Sequence, residues 1–193
     1  NSNHLYVFAR HETDSLSPQI FVSTNGGSAW SSSYSLDFGY VFDAHINPQN
    51  TTQLYAISRE KIVRSINKGL SWLPIRQSGD SLEFTAMALN PQDPFGNFFV
   101  AYINENNQSV IQRTHDGGYY FETKQVLPEN WVVTKMFVAN DSVSTVLAVL
   151  GMDGAAYDSV KIIYSKNNGN NWNTAFAAQI DCLLYTSPSP RDS

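Results

Sequence analysis

Short apolar runs alternate with polar, turn-forming stretches along the chain to about residue 180. The clearest runs are HLYVFAR (4–10), QIFV (19–22), KIVR (61–64) and VKIIY (160–164). Runs of this length that are rich in β-branched and aromatic residues, and that end at Gly, Asn or Pro, are typical of strands. The pattern therefore predicts an all-β protein built from short antiparallel strands.

One eight-residue pattern occurs four times, each time between an apolar run and a second strand-like stretch. The copies are STNGGSAW (23–30), SINKGLSW (65–72), THDGGYYF (114–121) and SKNNGNNW (165–172). Strand, tight turn and strand together predict a hairpin. The copies begin 42, 49 and 51 residues apart, a period that is typical of repeat architectures.

A weaker repeat lies between the copies and adds two more strands to each period. Asn-Pro-Gln occurs at 47–49 and again at 90–92, each time before an aromatic-rich run, and 135–150 fills the same slot without the proline. Four short strands per period are the unit of a β-propeller blade. The predicted blades cover residues 1–38, 39–79, 80–128 and 129–180, and the first lacks its strand one.

The four turns resemble the Asp-box, or BNR, repeat, whose pattern is Ser-x-Asp-x-Gly-x-Thr-Trp, over about residues 4–178. The matching positions are Ser23, Asn25, Gly27, Trp30, Ser65, Asn67, Gly69, Trp72, Thr114, Asp116, Gly118, Phe121, Ser165, Asn167, Gly169 and Trp172. The resemblance implies a β-propeller of about four blades of four antiparallel strands, closed by Asp-box hairpins. We expect a structural role for these residues, because Asp or Asn accepts backbone hydrogen bonds, Gly permits positive φ and the aromatic ring packs on the hairpin.

The last residues break this pattern. The stretch 182–193, CLLYTSPSPRDS, resembles a translated sequencing adaptor, so we expect it to be a non-native tail. Together with the missing strand one, this predicts a fragment of a longer propeller. Because an open arc exposes strand edges, we expect the fragment to be only marginally stable.

Composition and charge exclude several classes of function. The net charge is -5 and the 12 basic residues are scattered, which argues against nucleic-acid binding. The single Cys182 and four separated histidines predict no metal site, and no cofactor motif occurs. Among the histidines, His45 is expected to be a hydrogen-bonded core residue. No apolar stretch approaches the length of a membrane span, and glycosylation sequons at Asn50, Asn107 and Asn140 favour a secreted, lumenal or ectodomain location.

The candidate site lies on loops opposite the repeat turns, where the resemblance to Asp-box enzymes places an axial pocket. These are the loops between strands two and three and between blades. The candidate binding residues in them are His11, Glu12, Asp14, Asp43, Glu105, Asp153 and Asp158.

Three functions remain open at this point. The favoured one is a non-catalytic propeller that binds a protein, peptide or glycan, closest to sortilin-type sorting receptors, since the boxes are degenerate and no catalytic constellation is present. A sialidase would need three arginines with a tyrosine and a glutamate. A xyloglucan-type glycoside hydrolase would need two carboxylates across a cleft, for which Asp43 and Asp153 are eligible. In either enzyme, catalytic residues would lie partly outside this chain.

Overall fold

The computed structural model describes residues 3–9, 19–35, 41–77, 82–141, 145–152 and 158–180, without the side chains of 19, 32–35, 158 and 179–180. The described strands form four antiparallel sheets. The first two contain β1 (Leu5–Ala9), β2 (Gln19–Ser23) and β3 (Ser31–Ser35), then β4 (Val41–Ile46), β5 (Leu54–Ser58), β6 (Lys61–Ser65) and β7 (Leu73–Gln77). The others contain β8 (Glu83–Leu89), β9 (Phe98–Ile103), β10 (Ser109–Thr114) and β11 (Glu122–Val126), then β12 (Trp131–Val138), β13 (Val146–Met152), β14 (Asp158–Ser165) and β15 (Asn173–Ile180).

Each sheet is one blade of an all-β propeller arc, which confirms the predicted fold class. The strand order within every sheet follows the chain, and neighbouring strands are antiparallel. The innermost strand of the third blade, β8, contacts the innermost strands β4 and β12 on either side. The described part of the first blade has three strands.

The core lies between successive blades, so both faces of the second and third blades are covered. The first and second blades enclose a cluster around Ile20 and Val41. The second and third enclose Tyr55 and Phe84, and the third and fourth enclose a cluster centred on Phe99. Burial on both faces explains why β5 and β9, the second strands of these blades, are continuous apolar runs and do not alternate between apolar and polar residues.

The repeat turns are closed by hydrogen bonds within their own eight residues. In each turn the hydroxyl of the first residue accepts the N–H of the glycine four residues later. The distances are 2.8 Å at Gly27, 2.8 Å at Gly69, 3.0 Å at Gly118 and 2.9 Å at Gly169. The same hydroxyl donates to the Asn or Asp oxygen, which also accepts a backbone N–H further along the turn, that of Ser71 at 2.9 Å in the second copy. All four glycines have positive φ, so the local sequence dictates the turn.

The Asn-Pro-Gln repeat connects one blade to the next. The Gln49 side-chain amide donates to the backbone carbonyls of Pro91 and Gln92, at 3.0 and 2.7 Å. Gln92, at the equivalent position of the third blade, donates in turn to the carbonyl of Asp141 in the fourth, at 3.2 Å. The repeat therefore ties the turns between strands one and two into a chain of contacts between blades.

Two expectations for individual side chains need correction. His45 is not a hydrogen-bonded core residue, because its side chain is partly exposed and its Nε2 forms an ion-pair contact with Asp43 Oδ2 at 3.5 Å instead of a hydrogen bond. The first repeat turn also leaves Trp30 exposed, whereas Trp72 and Trp172 pack against the cores between blades. Trp72 and Trp172 are covered because each ring faces the preceding blade, whereas the described residues include no blade before the one that holds Trp30.

Candidate functional site

A pocket lies at the ends of the sheets opposite the repeat turns, the side on which the candidate loops were expected. Its lining comes from the beginnings of the innermost strands β4, β8 and β12. The ends of β9 and β13, the second strands of the third and fourth blades, complete it. Its volume is about 470 Å³, within the range of small-molecule and side-chain pockets. We call it the inner-strand pocket, and its lining residues are Phe42, Arg59, Glu83, Phe84, Thr85, Ile103, Val132, Val133, Thr134, Gly151 and Met152.

A β-bulge occurs at the same position in all three inner strands and shapes this pocket. The pairing skips one residue between Val41 and Asp43, and likewise at Thr85 and Thr134. The skipped residue of the first strand is Phe42, and all three skipped residues line the pocket. Because a bulge re-aims a side chain out of the regular alternation, it explains why these three positions point to one place.

The rim of the pocket is polar and its wall is apolar. Arg59 Nη1 lies 3.4 Å from Glu83 Oε2, and both side chains are exposed. The Phe84 N–H donates to the Arg59 carbonyl at 2.9 Å, which holds the loop between β5 and β6 against β8. Thr134 Oγ1 donates to the Val149 carbonyl at 3.2 Å, whereas Thr85 Oγ1 is buried with no hydrogen-bond partner. The Thr85 hydroxyl is therefore an unpaired polar group within the wall, and it is not exposed to the open pocket.

A small ionic cluster lies beside the pocket on the inner strands. Asp43 Oδ2 is 3.1 Å from Lys135 Nζ and 3.5 Å from His45 Nε2. The equivalent position of the third blade is the buried Ala86, which contributes no charge, so the lysine of the fourth blade pairs with the carboxylate of the second. Burial alone would raise the pKa of Asp43, but His45 and Lys135 outweigh it and lower that pKa. Asp43 is thus an ionised carboxylate that links two non-adjacent blades.

Of the candidate binding residues, the structure describes the side chains of Asp43 and Glu105, and neither lines the pocket. Asp43 is held in the ionic cluster, and Glu105 is exposed in the turn between β9 and β10. Asp158 begins β14, and its side chain is not described. The other candidates, His11, Glu12, Asp14 and Asp153, lie outside the described residues.

Asp116 is the one aspartate of the repeat turns, and its carboxylate accepts hydrogen bonds from its own turn. The Tyr120 N–H, the Thr114 hydroxyl and the Tyr119 N–H donate to Oδ1 at 3.0, 2.8 and 3.1 Å. These hydrogen bonds lower the pKa of Asp116. An ionised oxygen that accepts three local donors suits a structural role, and it lies at the opposite end of the sheets from the pocket.

Most lining residues carry no signal in the sequence. Phe42, Thr85 and Thr134 reach the pocket only through the bulges, and a bulge depends on the pairing register. Arg59 and Glu83 are ordinary surface residues until the fold brings β8 against the loop after β5. The one available signal was the repeat itself, because Phe42, Thr85 and Thr134 occupy the same position in the three described innermost strands.

Among the described residues, no group of three or more His, Cys, Asp or Glu side chains is placed to hold a metal ion. The same part of the chain contains no helix with the length and apolarity to cross a bilayer.

No protein-family model matches this sequence, and neither does any curated protein. Solved structures match it in fold. A GH74 enzyme from Niastella koreensis superposes with a TM-score of 0.70 and 17% identity, over 90% of this chain and 28% of that one. An ancestral GH74 enzyme gives 0.54 and 18%, over 83% of this chain and 22% of that one.

The protein YCF48 has a similar fold. Its structure bound to D1 peptide gives a TM-score of 0.52 and 12% identity, over 92% of this chain and 66% of that one. Because every identity is below 20%, these likenesses show the β-propeller fold alone. The chain spans about a quarter of the length of the two GH74 enzymes.

Proposed function

We propose that this chain binds an extended segment of a protein ligand through the inner-strand pocket, without catalysis. The observation that carries the proposal is the composition of the pocket: an apolar wall below a charge-balanced rim. Of the described lining residues, Glu83 is the only carboxylate, and Arg59 neutralises it. Hydrolysis of a glycoside by two acids would need a second carboxylate facing the first.

The pocket suits a peptide for two physical reasons. Phe42, Ile103 and Met152 form a concave apolar surface that can bury one or two ligand side chains. The exposed Arg59 and Glu83 can exchange their mutual ion pair for hydrogen bonds with polar groups of the ligand. A fold neighbour, YCF48, has been solved bound to D1 peptide, so this fold can carry a peptide site.

The test is selection from a displayed random-peptide library, followed by fluorescence anisotropy with the selected peptide. Met152→Glu places a charge in the apolar wall, and Ile66→Glu places one on an exposed repeat turn at the other end of the sheets. Losing the burial of one apolar side chain costs about 1.5–3 kcal/mol, so Met152→Glu should weaken binding by about 10-fold or more. Ile66→Glu should leave the affinity unchanged. Equal losses in the two variants would refute the site.

A glycoside hydrolase is the second candidate, favoured by the fold likeness to GH74 enzymes and by the ionised Asp43. An ionised carboxylate suits a base or nucleophile, but the proton donor would have to come from elsewhere, with Asp153 as the eligible residue. Release of reducing sugar from xyloglucan, abolished by Asp43→Asn, would support this candidate over peptide binding.

We also propose that the repeat turns are Asp boxes and that the protein is secreted, lumenal or part of an ectodomain. The hydrogen bonds of Ser65 and Asn67, repeated in three other turns, support the first proposal. Only the sequons support the second, and Asn50, Asn107 and Asn140 are all exposed. The assignment to sortilin-type receptors stays a prediction, because the features described here are common to Asp-box propellers.

A further inference from the structure

The three methionines of the chain differ in their exposure to solvent. Met87 is 0% exposed and Met136 is 2% exposed, and both belong to the cores between blades. Met152 is 37% exposed and lines the inner-strand pocket. Because the susceptibility of a thioether to oxidation follows its exposure, an oxidant in solution reaches Met152 before it reaches the other two.

The direction of the Met152 side chain follows from strand geometry. Val146, Ala148 and Leu150 occupy alternate positions of β13 and belong to the core between the third and fourth blades. Met152 is two positions beyond Leu150 and therefore points to the same side, towards the third blade. Since the structure describes that blade, the exposure of Met152 comes from the pocket that opens between the two blades.

The surroundings of Met152 in the pocket are mainly apolar. Phe42 and Ile103 belong to the same wall, and Gly151 adds no side chain to it. A thioether suits such a wall, because it is flexible and packs well against apolar and aromatic groups. A sulfoxide does not, because its oxygen loses hydrogen bonds to water when a ligand covers it.

We propose that Met152 is a site of reversible oxidation by peroxides, and that its sulfoxide weakens the binding of apolar ligand side chains in the inner-strand pocket. The effect on binding rests on the peptide site proposed above. The selectivity for Met152 over the other two methionines rests on exposure alone, so the two parts of the proposal are tested separately.

The chemical step transfers one oxygen atom to the sulfur. The Met152 sulfur attacks one oxygen of hydrogen peroxide and the O–O bond breaks. After proton transfer, the products are the sulfoxide and one molecule of water. The sulfur loses two electrons and the peroxide gains them. Methionine sulfoxide reductases restore the thioether, which makes the modification reversible.

The first experiment measures selectivity. The chain is made in a Cys182→Ser background, since the single thiol also reacts with peroxide. It is treated with dilute hydrogen peroxide, and the gain of oxygen at each methionine is followed by peptide mass spectrometry. Met152 should be oxidised while Met87 and Met136 stay unmodified. Oxidation of all three at the same rate would overturn the proposed selectivity.

The second experiment measures binding, with the peptide selected from the displayed library as the probe and fluorescence anisotropy as the readout. After removal of the peroxide, the oxidised chain should bind about 10-fold more weakly, and treatment with the reductases should restore the affinity. Met152→Leu keeps an apolar side chain without sulfur. Whatever its starting affinity, this variant should bind equally before and after peroxide treatment.

The possible failures of this experiment are distinguishable. If oxidation leaves the affinity unchanged while Met152→Glu weakens binding, the peptide site stands and the oxidation switch is overturned. If neither change affects binding, the peptide site itself is refuted. A loss of affinity after peroxide treatment of Met152→Leu would show that oxidation acts at another residue, which also overturns the switch.

Discussion

Arg76 provides the most direct test of how one blade holds the next. It lies on β7 of the second blade, and its Nη1 donates to Gln112 Oε1 of the third blade at 2.6 Å. Its guanidinium stacks 4.2 Å from the centre of the Phe121 ring, with Phe84 and Tyr102 at 5.5 and 5.3 Å. Burial lowers the pKa of Arg76, which is still fully protonated at neutral pH. Arg76→Met keeps most of the volume and removes the charge.

The magnitude follows from the contacts that are lost. A hydrogen bond to a charged group contributes about 1.5–3 kcal/mol, and the stacking adds about 0.5–2 kcal/mol. Returning the buried charge to water offsets part of this loss. We therefore expect Arg76→Met to lower the free energy of unfolding by about 2 kcal/mol. With a urea dependence of about 2 kcal/mol per molar, the unfolding midpoint falls by about 1 M.

The assay is urea unfolding followed by tryptophan fluorescence, with Arg59→Met as the matched control. Arg59 also forms an ion pair with a neighbouring blade, to Glu83, but its side chain is 74% exposed. Exposed pairs contribute about 0–1 kcal/mol, so this midpoint should move by less than half as much. A stability of Arg76→Met equal to the wild type, or an equal loss in both variants, would refute the reasoning.

Two further predictions concern the repeat turns and the ionic cluster. Ser65→Ala leaves the buried Gly69 N–H without its hydroxyl acceptor and should cost about 1–3 kcal/mol in urea unfolding, whereas the exposed Ser71→Ala should cost less. The pKa of Asp43 is lower in the folded state than its ordinary value of about 4. The ionised carboxylate therefore stabilises the fold above about pH 4, and this stabilisation is lost as the pH falls through the folded-state pKa. Asp43→Asn should therefore flatten the acid limb of stability below about pH 4, measured by thermal unfolding in low salt. An unchanged acid limb would contradict the cluster.

The sequence predicts the fold well because the decisive interactions are local. The turn at Ser65 is closed by bonds that span four residues, and Gly69 is required by its own positive φ. Such features recur in every copy and are visible without knowledge of the tertiary structure. The apolar runs before each turn likewise follow from burial on both faces of a blade.

The candidate site depends on contacts that are distant in the sequence. Phe42, Thr85 and Thr134 reach the pocket through a shift in strand pairing, which no local pattern encodes. Lys135 and Asp43 meet although they lie in different blades and far apart in the sequence. Loop positions in the sequence predict a site at the same end of the sheets as the pocket, and this stays a prediction. The bulge residues that line the pocket carry no such signal.

The central claim is that the inner-strand pocket is a peptide site, and photo-crosslinking tests it most directly. A peptide selected from the displayed library is synthesised with a diazirine side chain, irradiated with the 193-residue chain and mapped by mass spectrometry. Crosslinks at Phe42, Ile103 or Met152, lost with excess unlabelled peptide, are the result that the account predicts. Competable crosslinks confined to the repeat turns at 65–72 or 114–121 would contradict it.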